Sequence, residues 1–537
     1  MVASIGVIAS PSQGVSYYER DGYYAKDDPA HKEASAWAGK GAEDLGLSGS
    51  VDPDTFKAML QGKVPDGPHL GKRDKDGEIH HRPGRDVTLS APKSVSLMAL
   101  VGGDERVVAA HDWAVNSTLS WIERNAVETR MQDKASRAMV HVGGQKMVAA
   151  TFRHDTSRNL DPQLHTHAVV ANMVQGEDGK WRTMVNDGLY RNKMAIGAVY
   201  RAELARGLKA LGYGIEKTHP DGRFEIAGVS REVVVGFSTR RAEIEAAMLA
   251  RDEGLPLENP KLADRAALMT RAKKQDVDKG ELRRSWERQA AELGFSADTV
   301  RAKAMRAERE LPLPDLFSDR GQPAEVAAAW AVEHLSERQA VFGHGDLLAA
   351  TLARAPGAVT VEAAVRAIAG IEREGGLHGA RGLKHGRHWT TDAAMARESE
   401  AIALMRGWIA ETKLHGGRLN AGQKEAVKLI LSSKDRVLGV QGYAGTGKTT
   451  MLKRLRSLAE SRGTARGLRN MRASFSKTVL VVDESSLAST EQMRGLLRVA
   501  TTLRVPRVVL VGDENSSGRW RRASPSSNSD TPVCRQR

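Results

Sequence analysis

The sequence predicts an α+β domain with a mainly antiparallel central sheet, followed by a helical region and a partial α/β domain. Three observations indicate this fold class. Short strand patterns with two interleaved helical stripes continue to about residue 228. From about residue 230 to 310 the composition becomes helical and highly charged. After Arg418, helix and strand patterns alternate around a Gly-rich loop.

The elements of the first part follow from the spacing of apolar residues. Four segments are predicted strands: Ala3–Ser10, Arg85–Ser90, Lys146–His154 and His165–Val174. Two segments have helical spacing: Asp104–Asn125, and the stripe of Leu204, Leu208 and Leu211, which stops at Gly212. Asp178-Gly179 and Asp221-Gly222 predict hairpin turns, the first leading into a strand over Trp181–Val185. Hairpins of this kind make the sheet antiparallel.

Composition limits the class of protein. The 537 residues carry a net charge of +14, which favours a polyanionic partner such as nucleic acid. The single cysteine, Cys534, excludes an internal disulfide and fits a reducing compartment. We find neither a secretory signal nor an apolar run of the ~18 to 20 residues that a membrane span needs. We therefore expect a cytoplasmic protein without membrane insertion.

The sharpest chemical feature is a group of three histidines on a predicted hairpin. His165 and His167 stand two residues apart on one strand, so their side chains project from the same face. His154 ends the preceding strand, and Asp161-Pro162 lies in the loop between the two. Three apolar residues share the histidine face: Val148, Phe152 and Val169. Three neutral imidazoles can bind a divalent ion and leave coordination positions open, as catalytic metal sites do.

The alternative is a set of surface histidines on an ordinary hairpin. A lone His-x-His pair would favour that alternative. The third histidine on the adjoining strand favours the metal site instead, and the tyrosines described next strengthen this interpretation.

Half of the eight tyrosines fall in two adjacent pairs within a polar segment: Tyr17, Tyr18, Tyr23 and Tyr24. A tyrosine that attacks a phosphodiester conserves the energy of the broken bond in a phosphotyrosine ester. Its phenol has a pKa of about 10, so the attack needs a base and a metal-polarised phosphate. The alternative is an aromatic platform on which single-stranded bases stack. We expect that not all four are nucleophiles.

Asp86 stands at the start of the strand Arg85–Ser90. From there its carboxylate could orient a ligand histidine or accept the tyrosine proton. A strand-start carboxylate without a chemical role is the alternative, and the residues alone do not decide between them.

Together these blocks resemble the relaxase domain of the MobF (TrwC/TraI) family of conjugative DNA-transfer proteins, within the HUH endonuclease group. The resemblance covers about residues 1 to 300 and is carried by four motifs: Ser16-Tyr17-Tyr18 with Tyr23-Tyr24, Trp37–Glu43, Gly84–Ser96 and Phe152–His167. The position between the last two histidines is usually apolar in the wider group and is Thr166 here. It faces away from the expected metal.

The resemblance implies a role for each candidate residue. Tyr17 would be the primary nucleophile, with Tyr23 or Tyr24 serving a second strand transfer. Asp86 would hold or deprotonate its partner, and the three histidines would hold Mg²⁺ or Mn²⁺. The implied activity is site- and strand-specific nicking of single-stranded DNA at an origin of transfer, which forms a 5′-phosphotyrosyl intermediate and a free 3′-OH.

The resemblance also implies partners. They are a coupling protein and a type IV secretion machinery, with transfer of the DNA-bound protein into a recipient cell. The charged helical segment after residue 230 would help grip DNA or merely link two domains.

The C-terminal part resembles a RecA-like superfamily 1 helicase domain of the same family. Its Gly-rich loop follows a predicted strand and opens a helix, as a P-loop that binds ATP and Mg²⁺ requires. The predicted nucleotide-binding residues are Gln423, Gly442, Gly445, Gly447, Lys448, Thr449, Thr450, Asp483 and Glu484. Lys448 would reach the β/γ phosphates, and Asp483 would lie on the Mg²⁺ side.

Three departures predict that this P-loop domain is partial. Ser461–Lys477 is polar and Arg-rich where another core strand is expected. A glutamine-bearing motif is missing after Val508–Asp513, and Ser516–Arg537 reads as disordered or out-of-frame sequence. We also expect the second RecA-like domain to be absent. We therefore expect a defective ATPase and no helicase activity.

These patterns predict four segments. They are a relaxase domain over 1–300, a helical linker or vestigial helicase region over 301–410, a partial P-loop helicase domain over 411–514, and a disordered tail over 515–537. Two other functions stay open at this point: a rolling-circle replication initiator, and a catalytically inactive DNA-binding remnant.

Overall fold

The structure is a computed structural model that describes residues 3–11, 34–133, 135–249, 278–310, 322–380, 386–406, 437–441, 479–482, 490–502, 505 and 507–512. The chain divides into two compact units. The first comprises Met1–Ala328 with Leu348–Ile368, and the second comprises Ala329–Leu347 with Ala369–Arg537.

The first unit contains thirteen described strands: β1 (Ala3–Val7), β2 (Ser35–Ala38), β3 (Lys72–Arg73), β4 (Ile79–His80), β5 (Gly84–Ser90), β6 (Glu128–Gln132), β7 (Met139–Gly143), β8 (Lys146–Thr156), β9 (Pro162–Gln175), β10 (Trp181–Arg182), β11 (Met184–Val185), β12 (Ile215–Lys217) and β13 (Phe224–Ile226). Its described helices are α1 (Lys40–Asp44), α2 (Pro53–Leu60), α3 (Lys93–Leu100), α4 (Glu105–Asn125), α5 (Asp187–Arg191), α6 (Lys193–Ala210), α7 (Arg231–Gly236), α8 (Thr239–Leu249), α9 (Lys279–Glu292) and α10 (Ala297–Glu310).

The core of this unit is an antiparallel sheet with the strand order β1-β5-β9-β8-β2, and β10 also pairs with β9. The long central strands β8 and β9 carry mostly buried residues, because the sheet is covered on both faces. The predicted strands and their antiparallel arrangement are confirmed. β8 and β9 are each longer than predicted, and β1 ends at Val7 rather than Ser10.

Each face of the central sheet has its own cover. On one face, Phe56 and Leu60 of α2 pack against Ala150, Phe152 and Val169 in one apolar cluster. Phe56 and Phe152 meet edge to face, with ring centroids 5.4 Å apart. On the other face, the long helices α4 and α6 bury side chains that include His111 and Tyr200, both fully inaccessible to solvent. Side chains that alternate along β9 therefore enter two different environments.

Helix α4 forms where the apolar spacing predicts it. Asp104 caps the N-terminus by accepting a hydrogen bond from the backbone N–H of Arg106 at 3.1 Å. Its buried stripe includes four apolar residues at helical spacing: Val108, Val115, Leu119 and Ile122. Glu105 in the first turn and Arg124 in the last turn complement the helix dipole.

The predicted strand over Trp181–Val185 is wrong in its continuity. Trp181 and Arg182 pair with β9, but Met184 and Val185 leave that sheet and pair with β6. The break falls at Thr183, whose carbonyl oxygen accepts a hydrogen bond from the Thr129 hydroxyl at 2.9 Å. The first half of the predicted strand thus belongs to the sheet of β9, and the second half belongs to the sheet of β6. The order of this second small sheet is β11-β6-β7.

The second unit contains two small sheets among its described residues. The strands β14 (Phe342–Gly343), β15 (His378–Gly379) and β16 (His388–Thr390) form an antiparallel sheet, which adds strands to a region predicted as helical. The strands β17 (Val437–Gln441), β18 (Val479–Val482) and β19 (Arg507–Gly512) form a parallel sheet with β19 in the centre. That parallel pairing confirms the predicted α/β character of the C-terminal part.

The remaining described helices are α11 (Gln322–Arg338), α12 (His344–Arg354), α13 (Val361–Arg373), α14 (Asp392–Arg406) and α15 (Thr490–Thr502). Within the parts of the chain that the structure covers, none of the helices combines the length and apolarity of a membrane span. The predicted domain boundaries near residues 300, 410 and 514 stay predictions.

Glu123 provides a test of the core by pH. Its carboxylate is buried on α4, and Oε1 accepts hydrogen bonds from the backbone N–H groups of Lys40 at 2.9 Å and Met147 at 2.8 Å. Burial raises the pKa of Glu123 above its usual value of 4.5. The folded state therefore keeps this proton to a higher pH than the unfolded state, and the contribution to stability falls as pH rises from 4.5 towards the folded pKa.

We expect Glu123→Gln to become more stable relative to the wild type across that interval, because the amide oxygen can accept both hydrogen bonds without titrating. Urea denaturation at several pH values measures the difference in the free energy of unfolding between the variant and the wild type. Hydrogen exchange in α4 then reports the local stability around Glu123. Glu123→Ala is the control and should lose about 1–3 kcal/mol at every pH, since it leaves buried N–H groups unpaired. A Gln-minus-wild-type difference that does not change with pH would contradict this account.

Candidate metal centre

Three imidazoles converge at one end of the sheet. His154 of β8 is directly opposite His165 of β9, and His167 lies two residues further along the same face of β9. The potential ligand atoms of the three side chains all lie within 4.8 Å of one another. Ring centroids are 5.0 Å apart for His154–His165, 4.8 Å for His154–His167 and 5.2 Å for His165–His167. The predicted convergence of these residues is confirmed.

Hydrogen bonds set the tautomers of two of these histidines. His167 Nδ1 lies 2.7 Å from Asp86 Oδ2, and His165 Nδ1 lies 2.8 Å from the carbonyl oxygen of Gln163. Both partners are acceptors, so each Nδ1 carries the proton and donates it. The lone pair of each ring is then on Nε2, where it can coordinate a metal ion. A cluster of neutral imidazoles with this proton arrangement fits a divalent cation.

Asp86 belongs to the strand next to β9 and lies beside the cluster. It is paired with Val169 across β5 and β9, two residues along the ladder from the pair formed by Thr88 and His167. The Thr88 hydroxyl lies 3.3 Å from His167 Nδ1 and 3.5 Å from Asp86 Oδ1. Of the roles that the sequence leaves open, the short contact with His167 favours a carboxylate that orients a ligand histidine.

The loop between the two ligand strands is held by distant parts of the chain. Asp161 accepts hydrogen bonds from the Thr239 hydroxyl at 2.8 Å and from the Arg240 N–H at 3.3 Å, at the start of α8. Trp286 Nε1 of α9 donates to the carbonyl oxygen of Leu160 at 2.8 Å. Leu160 has a left-handed backbone with φ 62°, so these contacts stabilise an uncommon conformation. The charged segment after residue 230 thus contacts the ligand hairpin, which its composition did not reveal.

The segment that follows β5 also holds this hairpin. Lys93 Nζ donates to the carbonyl oxygen of Pro162 at 2.7 Å, and Ser96 Oγ accepts from the N–H of Leu164 at 3.0 Å. Burial lowers the pKa of Lys93 to about 8. Sequence reasoning assigned no role to Lys93 or Trp286. A lysine at the first turn of an apolar helix was the available signal for Lys93.

Several predicted site residues lie outside the residues that the structure describes. These are the four tyrosines, Tyr17, Tyr18, Tyr23 and Tyr24, and the predicted nucleotide-binding residues, Gln423, Gly442, Gly445, Gly447, Lys448, Thr449, Thr450, Asp483 and Glu484. The described part of the chain brings together His154, His165, His167 and Asp86.

Comparison with known proteins gives matches to two family models. The model of the TrwC relaxase matches residues 11–293, and the model of an AAA domain matches residues 418–472. The first match contains all four tyrosines and the histidine cluster, and the second contains the Gly-rich loop at Gly442–Thr450.

Two curated relatives share 39% identity with this chain. One is the multifunctional conjugation protein TraI of Escherichia coli strain K12, aligned over 366 residues, and the other is the Escherichia coli protein of the same name, aligned over 364 residues. Each alignment covers 66% of this chain and 20% of the relative. The chain therefore spans about a fifth of the length of these relatives.

Solved structures of a conjugative relaxase, TrwC, in complex with oriT DNA are also similar. The metal-bound form shares 38% identity with a TM-score of 0.49, and the metal-free form shares 38% identity with a TM-score of 0.48. Both cover 55% of this chain and 99% of the solved chain.

Trp286→Phe tests whether α9 holds the ligand loop. The substitution keeps an aromatic ring and removes the hydrogen bond to Leu160, so we expect the loop to lose about 1 kcal/mol of local stability, equivalent to roughly fivefold faster amide exchange. Hydrogen-exchange mass spectrometry of residues 157–161 measures this change. Trp113→Phe is the matched control, because Trp113 is exposed and lies on α4. Unchanged exchange in the Trp286 variant would show that the loop does not depend on this contact.

Proposed function

The chain belongs to the TrwC relaxase family, and we propose that its first 300 residues nick one DNA strand at an origin of transfer and become covalently joined to the 5′ end. The observation that carries this proposal is the cluster of three imidazoles with Asp86 bonded to one of them. Such a site can hold a divalent ion against a phosphate, which is the requirement for metal-assisted cleavage of a phosphodiester.

Described residues on both sides of the tyrosine segment attach to strands of this site. On the C-terminal side of the segment, the Ala34 carbonyl oxygen accepts a hydrogen bond at 2.8 Å from the backbone N–H of Arg153, which precedes His154. At the other end, β1 pairs with β5, with Gly6 opposite Asp86. Tyr17 follows Pro11 by six residues, a reach of roughly 20 Å for an extended chain. These anchors support a nucleophile from this segment, and the family resemblance makes Tyr17 the candidate.

The proposed reaction is a transesterification at phosphorus. The Tyr17 oxygen bonds to phosphorus as the bond from phosphorus to the 3′ oxygen breaks. The phenolic proton passes to a base, and the departing 3′ oxygen takes up a proton to become a hydroxyl. The phosphotyrosine ester retains the energy of the broken bond, so a later attack by a DNA 3′-OH can religate without ATP. Tyr23 or Tyr24 would serve a second strand transfer.

His154, His165 and His167 would hold the metal ion, and Asp86 would fix the ring of His167. When bound, the ion stabilises the charge that develops on the phosphoryl oxygens. Mg²⁺ and Mn²⁺ are the candidates that the family suggests. A set of three imidazoles suits a transition-metal ion better than Mg²⁺, which prefers oxygen ligands. We therefore favour Mn²⁺ as the probe for binding.

The partners follow from the same family membership. The net charge of +14 favours binding to a DNA strand, and we infer single-stranded DNA at the origin of transfer as the substrate. A coupling protein and a type IV secretion machinery would receive the DNA-bound protein. We place the nicking reaction in the cytoplasm of the donor cell.

Tyr17→Phe tests the nucleophile. We expect the wild-type chain with Mn²⁺ to form a covalent adduct with single-stranded oligonucleotides from the DNA that flanks its own gene, and the variant to form at least ~100-fold less, because the attacking oxygen is gone. Denaturing gel electrophoresis with mass spectrometry measures the adduct. Tyr190→Phe, at an exposed tyrosine on α5, is the control and should react normally. An adduct retained by the Tyr17 variant would assign the nucleophile to another residue.

Asp86→Asn tests the orienting carboxylate. The amide keeps the shape but loses the charge that holds the Nδ1 proton of His167, so we expect Mn²⁺ affinity to fall about 10- to 100-fold. Isothermal titration calorimetry measures the affinity. The control is Asp178→Asn, whose carboxylate pairs with Arg182 on an exposed hairpin. Equal affinities for the Asp86 variant and the wild type would argue against this role.

A further inference from the structure

A buried polar chain lies directly behind the histidine cluster. Thr166, between His165 and His167, projects from the opposite face of β9 and is 3% exposed. Its hydroxyl lies 2.8 Å from Nε2 of His111 on α4. Nδ1 of His111 lies 2.8 Å from the hydroxyl of Tyr200 on α6.

The three groups satisfy one another without charge. Burial lowers the pKa of His111 to about 3 and raises the pKa of Tyr200 well above 10, so both side chains are neutral near pH 7. A neutral imidazole donates from one ring nitrogen and accepts at the other, and each hydroxyl can do either. Both hydrogen bonds of His111 can therefore form with the protons arranged in either direction. Removal of the Thr166 hydroxyl would leave a buried ring nitrogen without its partner.

The neighbouring residue of α4 holds the other ligand strand. Asp112 forms an ion pair with Arg153 Nη1 at 2.5 Å. Arg153 precedes His154, and it is directly opposite Thr166 across β8 and β9. Two consecutive residues of one helix thus bond to a cross-strand pair, and each member of that pair is adjacent in sequence to metal-binding histidines.

We propose that α4 positions the metal-binding histidines through two neighbouring residues, His111 and Asp112. This inference rests on the proposed function, because it assigns these residues to the same metal site. Side chains alternate between faces along a strand, so a helix that fixes Arg153 and Thr166 on one face also fixes the directions of the imidazoles on the other. On β9, the hydroxyl of Thr166 provides the contact with α4, at a position that is usually apolar in the wider group.

The test compares Mn²⁺ affinity in matched threonine variants of the full chain. Thr166→Val keeps the side-chain shape without the hydroxyl, and we expect Mn²⁺ to bind about 10-fold more weakly or worse. Thr166→Ser restores the hydroxyl and should recover binding to within about threefold of the wild type. Thr118→Val is the control, because Thr118 is fully buried on α4 and bonds only within that helix, to the Ala114 carbonyl oxygen at 2.6 Å.

Asp112→Ala provides a second arm should Thr166→Val not fold. The Asp112 side chain is 41% exposed, so its removal leaves no buried cavity, and we expect Mn²⁺ affinity to fall about 3- to 10-fold. Isothermal titration calorimetry gives the affinities, and thermal denaturation reports stability separately. Lower stability with unchanged Mn²⁺ affinity in both variants would overturn the inference and leave α4 a purely structural role.

His165→Ala separates this failure from failure of the proposed function. It should abolish Mn²⁺ binding. If the wild type takes up no Mn²⁺, or if His165→Ala binds it normally, the metal site itself is wrong and the inference falls with it. If His165→Ala loses binding while the Thr166 and Asp112 variants keep it, only the role of α4 is overturned.

Discussion

The pairing of β8 with β9 is the constraint on which the rest of the site depends. His154 is opposite His165 in this ladder, and His167 follows on the same face. A shift of one residue in either strand would send the imidazoles of that strand to the helical side of the sheet. The pairing is held from several directions, because β5 and β2 flank the two strands and α8 and α9 contact the loop between them. The geometry of the metal centre is thus a property of the whole sheet.

The two faces of this sheet have different chemical roles. One face is apolar where α2 covers it and carries the imidazoles where α2 does not. The other face is packed against α4 and α6, where buried His111 is hydrogen-bonded to Thr166 and to Tyr200. Because side chains alternate along a strand, neighbouring residues of β9 serve both faces. Packing on the helical side and the direction of the ligands are therefore coupled by the backbone of a single strand.

The helical segment after residue 230 has a structural role beside the site, because it contacts the loop between the histidine strands. From composition alone, its role was open between gripping DNA and linking two domains. Thr239 of α8 and Trp286 of α9 contact the same short loop between the two histidine strands. The loop beside the candidate metal centre thus contacts Trp286, which is more than a hundred residues further along the chain than His167.

Local spacing of residues was enough to predict some features of this protein. Strand alternation placed three histidines on one face, and helical spacing placed the buried stripe of α4. Tertiary structure alone decided the partner of Asp86, the contacts of Lys93 and Trp286, and the bond between His111 and Thr166. It also decided that the segment at Thr183 divides between two sheets. The physical reason is that periodicity specifies which face a side chain occupies, whereas the partner on that face comes from a distant segment whose position depends on packing of the entire core.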